Sequence, residues 1–285
     1  MSRWILSLAC SLCLTACRSA APRAPESNLK APDPAGEPSF TGAQLSEDFS
    51  LLRRVFEQLH PGLYRYNTKA SVEANFSALL RAVEHGASLG EAYRALSVFL
   101  ATVRCGHTYA NFFNQPQPIA DRLFRQGATR VPFWFVWRGE RIVVTRDLTA
   151  GARLPPGSEV AALDGVPAST ILQTLLTVAR ADGSNDRKRV NALEIHGDTD
   201  LEAFDIYFPL FFPQRGINGG AFFFVRLPRT GLEADLPLIG QFPSRAAPDA
   251  GLEPNLLVET TALDIAAGRD PIRARLNSLW TGTPR

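Results

Sequence analysis

Lysine is nearly missing from this chain, which has only Lys30, Lys69 and Lys188 in 285 residues. A serine–lysine dyad needs a lysine that burial keeps unprotonated. Lys30 stands in a proline-rich stretch, Lys69 at a helix start and Lys188 in the charged run "NDRKRV", so that chemistry is not expected. An excess of one charge is missing too: 30 basic residues face 28 acidic ones, a net charge of +2. With no basic run interleaved with aromatics, nucleic acid is not an expected partner. Cysteine is scarce, at positions 10, 13, 17 and 105 only. The Gly219-Gly220 pair precedes an apolar strand pattern, not a helix, which leaves phosphate binding without support. Asp182, Asp186, Asp198, Asp200 and Asp205 are irregularly spaced, as on a solvated surface rather than around a metal. No cofactor is expected.

Long apolar runs are also absent apart from Trp4 to Ala16, which is too short to span a bilayer. With Arg3 before it and small residues after it, residues 1–17 read as an export signal. The ending Leu14-Thr15-Ala16-Cys17 resembles the lipobox of bacterial lipoproteins. That resemblance implies cleavage before Cys17 and lipidation of its thiol, placing the protein in the bacterial cell envelope on a lipid anchor. The alternative is a plain secretory signal with an incidental cysteine. With Cys10 and Cys13 removed and Cys17 acylated, no disulfide can form within one chain. Cys105 is then either a thiol nucleophile beside His107 or a small core residue, the commoner fate of a lone cysteine on an apolar helix.

Residues 18–42 are rich in proline without apolar periodicity and read as a flexible tether. A helical N-terminal domain is expected over 43–125. Its first helix has Phe49, Leu52, Phe56 and Leu59 on one face and stops at Pro61-Gly62. The second gathers Val72, Phe76, Leu79, Leu80 and Val83 and closes at Gly86. The third opens on a Ser88/Glu91 capping box and is expected to end at Gly106, with His107 the first loop residue beyond.

Strand patterns follow. "VPFWFVW" and "RIVVT" flank Arg138-Gly139-Glu140 as a hairpin, "SEVAAL" runs into an Asp164-Gly165 turn, and "ASTILQTLLTVAR" has helical spacing. Further on, "GGAFFFVRL" and "LEADLPLIG" form a hairpin around Pro228–Gly231. A closing helix takes Asp270 as N-cap and Pro271 as its first residue. The fold class is α+β.

Several of these segments, in this order, resemble the tail-specific, or tricorn-like, serine peptidases. They are "HPGLYRY" (60–66), "CGHTYANFFNQ" (105–115), "PPGSEVAALDGVPASTILQTLL" (155–176), "ARADGSNDRKRV" (179–190), "FDIYFPLFFP" (204–213), "GINGGAFFFVRLPRTGLEADLPLIGQFP" (216–243) and "PNLLVETTALDIAAGRDPIRARL" (254–276). The resemblance implies a PDZ-like module over 126–182 and, over 183–285, a truncated remnant of an α/β serine-peptidase core. In the family a long stretch with the catalytic serine separates the "FDIYFPL" and "INGGAFFF" segments. Here only residues 211–216 lie between them.

His107 fits the position resembling the tricorn-like branch's catalytic base, with a capping role as its alternative. His60, His85 and His196 read respectively as helix termination, a cation near a helix end and a loop residue. No serine stands where a nucleophile is needed. Ser158, Ser184, Ser244 and Ser278 sit in turns, loops or near the C-terminus, and Ser169 reads as a helix N-cap. The expectation is therefore an impaired serine-peptidase homologue that keeps peptide or protein C-termini as partners through its PDZ-like module. Two alternatives stand beside it: an active peptidase in which His107 serves an unrecognised serine, and an internally deleted product without function.

Overall fold

The computed structural model describes residues 36–125, 131–149, 151–195, 217–241, 249 and 254–280. The expected export signal, Cys17, the "FDIYFPL" segment, His196, Asp198, Asp200, Asp205 and Ser244 lie outside them. From Glu37 onward the chain forms one compact unit. It is a mixed α+β structure whose sheets are small and antiparallel.

Three helices build the first core: α1 (Gly42–Leu59), α2 (Lys69–Ala82) and α3 (Leu89–Thr102). Each is started by the chemistry its sequence provides. Thr41 and Gln44 form a reciprocal capping box for α1, Thr68 accepts from the Ser71 N–H for α2, and Ser88 and Glu91 repeat the box for α3. At the end of the stretch read as a flexible tether, β1 (Ser39–Phe40) pairs antiparallel with β2 (Ala87–Ser88), which lies between α2 and α3. Most of the expected apolar stripes are buried, with Phe49, Leu52 and Phe56 on α1, Val72, Phe76 and Leu79 on α2 and Leu96 and Leu100 on α3 in one core, but Leu59 at the end of α1 is exposed and Leu80 is half-buried. Each such side chain stabilises the fold by roughly 1.5–3 kcal/mol through the area it removes from water.

The same core takes in one end of a distant hairpin, β8 (Ile217–Arg226) and β9 (Glu233–Gln241), through Val225, Leu227, Leu232, Ala234 and Leu236. A two-stranded ribbon is marginal alone, so this anchoring is what holds it. Phe222, Phe223, Phe224, Leu238 and Ile239, farther along the ribbon, remain exposed. Segments of the chain far apart in sequence thus share one hydrophobic interior.

The second core belongs to the module expected to be PDZ-like. β3 (Phe133–Arg138), β4 (Arg141–Asp147) and β5 (Glu159–Val160) form a three-stranded antiparallel sheet with β5 at its edge. Helix α5 (Ala168–Leu176) buries Ala168 and Leu172 against Phe133, Phe135, Trp137, Ile142 and Val144. The small hairpin β6 (Ala162–Leu163) and β7 (Val166–Pro167) turns on Asp164 and Gly165, both at positive φ, as a two-residue turn of the right twist requires.

Three helical pieces were not legible in the sequence. α4 (Gln117–Ala120) runs into a π turn at Asp121–Arg125, α6 (Asp186–Asn191) is capped by the Asn185 side chain, and α7 (Ala262–Ala266) by a Thr261/Asp264 box. All are too short to show a hydrophobic period. The closing helix α8 (Pro271–Trp280) is as expected, with the Asp270 carboxylate accepting the Arg273 N–H at 2.8 Å. Among the described residues no helix is long and apolar enough to cross a membrane.

The closest backbone approach in this core is at Gly42, where a Cβ would lie 2.0 Å from the Glu84 carbonyl oxygen. Gly42→Ala must therefore push the start of α1 away from the chain beyond α2. The expected cost is about 1–3 kcal/mol, as for other overpacked sites. Urea unfolding measures it, and a midpoint equal to wild type would show that the two segments separate freely.

Candidate functional site

The residues singled out around His107 form a corner that begins four residues before it. Helix α3 stops at Thr102 with Val103 as its C-cap, so it ends earlier than Gly106. The cause is Arg104, which takes φ +59 and turns the chain out of the helix. A non-glycine residue there is costly unless its surroundings hold it. Its guanidinium donates to the Tyr66 carbonyl, the Ser184 hydroxyl and the Asp249 carboxylate, and lies over the Tyr66 ring. The Asn67 amide meets the orphaned carbonyls of Thr102 and Val103 at 3.0 and 3.2 Å. His107 is thus five residues beyond α3 and not at the helix's negative end.

Two further segments clamp the corner from residues the sequence had marked separately. On one side the 179–190 segment docks: the Gly106 N–H donates to Asp182 Oδ1 at 3.2 Å, the Gly183 N–H to the Arg104 carbonyl at 3.0 Å, and the Arg180 guanidinium stacks 3.2 Å from the Tyr109 ring centre. A Cβ at Gly106 would come within 2.7 Å of Asp182 Oδ2 and 3.3 Å of Lys188 Nζ. Lys188, which its charged run disguised, therefore stands at the corner, on α6.

On the other side is β9. The Asp235 N–H donates to the Tyr109 carbonyl at 2.9 Å, and the Asn111 and Asn114 amides both donate to the Asp235 carboxylate at 3.0 Å. Gln115 donates to the Glu233 carbonyl at 2.8 Å and accepts the Glu233 N–H at 2.9 Å, completing a strand-like bracket with its side chain. Burial pushes the Asp235 carboxyl above the usual carboxylate range, against the lowering effect of its two asparagine donors and of Arg180.

Within this frame His107 is half-buried, its ring centre 5.9 Å from that of Phe222 on β8. Cys105 is buried in the first core, the fate of a small apolar residue. The serine hydroxyls have other occupations: Ser158 donates to the Pro155 carbonyl, Ser278 to the Arg275 carbonyl, and Ser184 sits between Arg104 and Asp249. Ser169 is not the N-cap of α5; Pro167 occupies that position without a side-chain cap, and Ser169 is the second helical residue. Its preceding proline supplies the non-helical entry that a capping hydroxyl would otherwise stabilise. His85 is exposed with Nε2 3.3 Å from Glu84 Oε1. Among the described residues no group of three or more His, Cys, Asp and Glu is placed to hold a metal ion.

The histidine with the more telling environment is His60. It terminates α1 as its C-cap, and it is also buried. Its Nδ1 accepts the Gly62 N–H at 3.1 Å and its Nε2 lies 2.8 Å from the Thr108 hydroxyl. Nδ1 can accept only if it is unprotonated, so Nε2 carries the hydrogen and donates to Thr108. Burial, helped by the Arg65 charge, lowers its pKa to about 4. His60 is thus a neutral strut under the residue next to His107.

A separate cleft lies between edge strand β5 and the start of α5, about 300 Å³ in volume, lined by Glu140, Arg141, Glu159, Val160, Ala161, Ala168 and Ser169. Arg141 and Glu159 pair across its rim at 3.0 Å. No family model matches the chain, and neither a curated protein nor a solved structure matches it.

Proposed function

We propose that this chain is a lipid-anchored envelope protein descended from the tail-specific or tricorn-like serine peptidases, with little or no hydrolytic activity, and that it binds the C-terminal ends of peptides in its PDZ-like module. The reading is carried by the cleft beside β5. An edge strand offers unpaired backbone groups, and an extended peptide laid between β5 and α5 adds a fourth strand to the β3–β4–β5 sheet. Arg141, paired with Glu159, must turn from that partner to meet a terminal carboxylate at the rim, and Val160, Ala161 and Ala168 supply an apolar floor for a small side chain. Against hydrolysis speaks the occupation of the serine hydroxyls: those of Ser158 and Ser278 donate to carbonyls of their own turns.

The test is binding of a peptide library with free C-termini and of the same peptides amidated, alongside labelling by a fluorophosphonate. Retention of the free acids is expected, with at least ten-fold weakening in Ala161→Trp, whose indole fills the cleft, and no labelling. Labelling that disappears in His107→Ala and in one serine variant would replace this reading with the active peptidase. Neither binding nor labelling, with non-cooperative melting, would point to the deleted product.

A further inference from the structure

Helix α8 buries none of its ten residues. An isolated helix of that length is marginal in water, so a covering surface is what makes it worth forming. Its apolar residues, Ile272, Leu276, Leu279 and Trp280, recur at helical spacing and share one face, all exposed, with Trp280 at 90%. At 100° per residue they cover an arc of roughly 100°, and Arg273 and Arg275 fall just outside its two edges. Asn277, Ala274 and Ser278 occupy the opposite side, and α8 contains no acidic residue. The nearest carboxylates are engaged, Asp270 by the Arg273 N–H and Asp264 by Arg269.

The geometry points to α8 as an interfacial helix that lies on an anionic lipid surface, its apolar stripe in the acyl boundary and Arg273 and Arg275 reaching outward to phosphates. A stripe bordered on both edges by cations suits a bilayer, where long basic side chains extend to the headgroups while their stems remain apolar. It suits a second copy of the same helix poorly. Two α8 stripes face to face bring four arginines together with no carboxylate on either helix, and three aliphatic side chains and one indole fall well short of the roughly 800 Å² per partner that stable association needs. The inference rests on α8 and not on acylation of Cys17, and the experiment separates the two.

The full chain carrying Cys17→Ser, which cannot be acylated, is mixed with vesicles of phosphatidylcholine alone or with 30% phosphatidylglycerol, and floated. Flotation with the anionic vesicles is expected, at least ten-fold stronger than with the neutral ones. Arg273→Gln/Arg275→Gln should weaken it about ten-fold, and Leu276→Glu should abolish it. Because the Leu276 side chain is 59% exposed and belongs to no buried cluster, the Leu276→Glu chain should keep the wild-type melting curve, so its loss of binding is not a loss of fold. Equal flotation of Leu276→Glu and wild type, or no flotation at all, overturns the inference. Concentration-dependent dimerisation without vesicle binding, removed by Leu276→Glu, would overturn it in favour of a second copy.

Discussion

Asp48→Ala is expected to lower the unfolding free energy by roughly 3–5 kcal/mol, because it leaves two buried donors and one part-buried donor without an acceptor. The Asp48 side chain has no solvent exposure. One oxygen accepts the Arg229 N–H at 2.8 Å, and the other accepts the Thr230 N–H at 2.9 Å and the Thr230 hydroxyl at 2.8 Å. A carboxylate on the first helix thereby fixes the turn of the β8–β9 hairpin, whose strands close part of the same core. The neighbouring Glu47–Arg229 pair at 2.6 Å is about half-exposed and contributes little beside it. Asp48→Asn retains one carbonyl oxygen and should lose about 1–2 kcal/mol. Urea midpoints of the three proteins give the ranking. Hydrogen exchange at the Arg229 and Thr230 amides should accelerate in Asp48→Ala well beyond the change at β3 and β4. A loss below about 1 kcal/mol, or uniform acceleration, would mean that the hairpin is held by its apolar side chains alone.

Asp48 also illustrates what could be read in advance. The sequence announces α1, α2 and α3 because their apolar residues return every three or four positions, and the Ser88–Glu91 cap of α3 is local. It announces the β3–β4 and β8–β9 hairpins because alternation and turn residues are local as well. The bond from Asp48 to Thr230 crosses 182 positions, and nothing in an acidic residue on a helix reveals its partner at that distance. The corner was half legible for the same reason. His107, Asn111, Asn114 and Gln115 stand together in one quoted stretch, but their work is done on Glu233 and Asp235 of β9 and beside Asp182 and Lys188. The helix end itself was misplaced because Gly106 is the usual residue for a left-handed cap, whereas Arg104 adopts that conformation under three hydrogen-bonded partners.

His60 should make the corner sensitive to acid, in a window its altered affinity for protons defines. Folding lowers its pKa from 6.5 to about 4, so between those values the unfolded chain binds more protons than the folded one. Stability from this group is complete above pH 6.5 and is lost as pH falls toward 4. The span corresponds to about 3 kcal/mol. At the atomic level, the arriving proton turns Nδ1 into a donor facing the Gly62 N–H 3.1 Å away, in a site with little water to relieve the conflict. Asp235 acts in the opposite sense, since its raised pKa makes the folded chain the better proton binder, so wild type alone would show a blunted slope. The measurement is therefore a difference. Unfolding free energies of wild type and His60→Gln, taken from pH 4 to 8, should diverge by about 3 kcal/mol across the window while the Asp235 contribution cancels. The variant loses this titration but keeps a donor for Thr108, so near pH 4 it should be the more stable of the two when each is taken relative to its own value at pH 8. Parallel curves would mean that the ring takes up its proton at the same pH in both states, or that acid releases it into solvent without disturbing Thr108. In either case His60 would be no more than a helix cap.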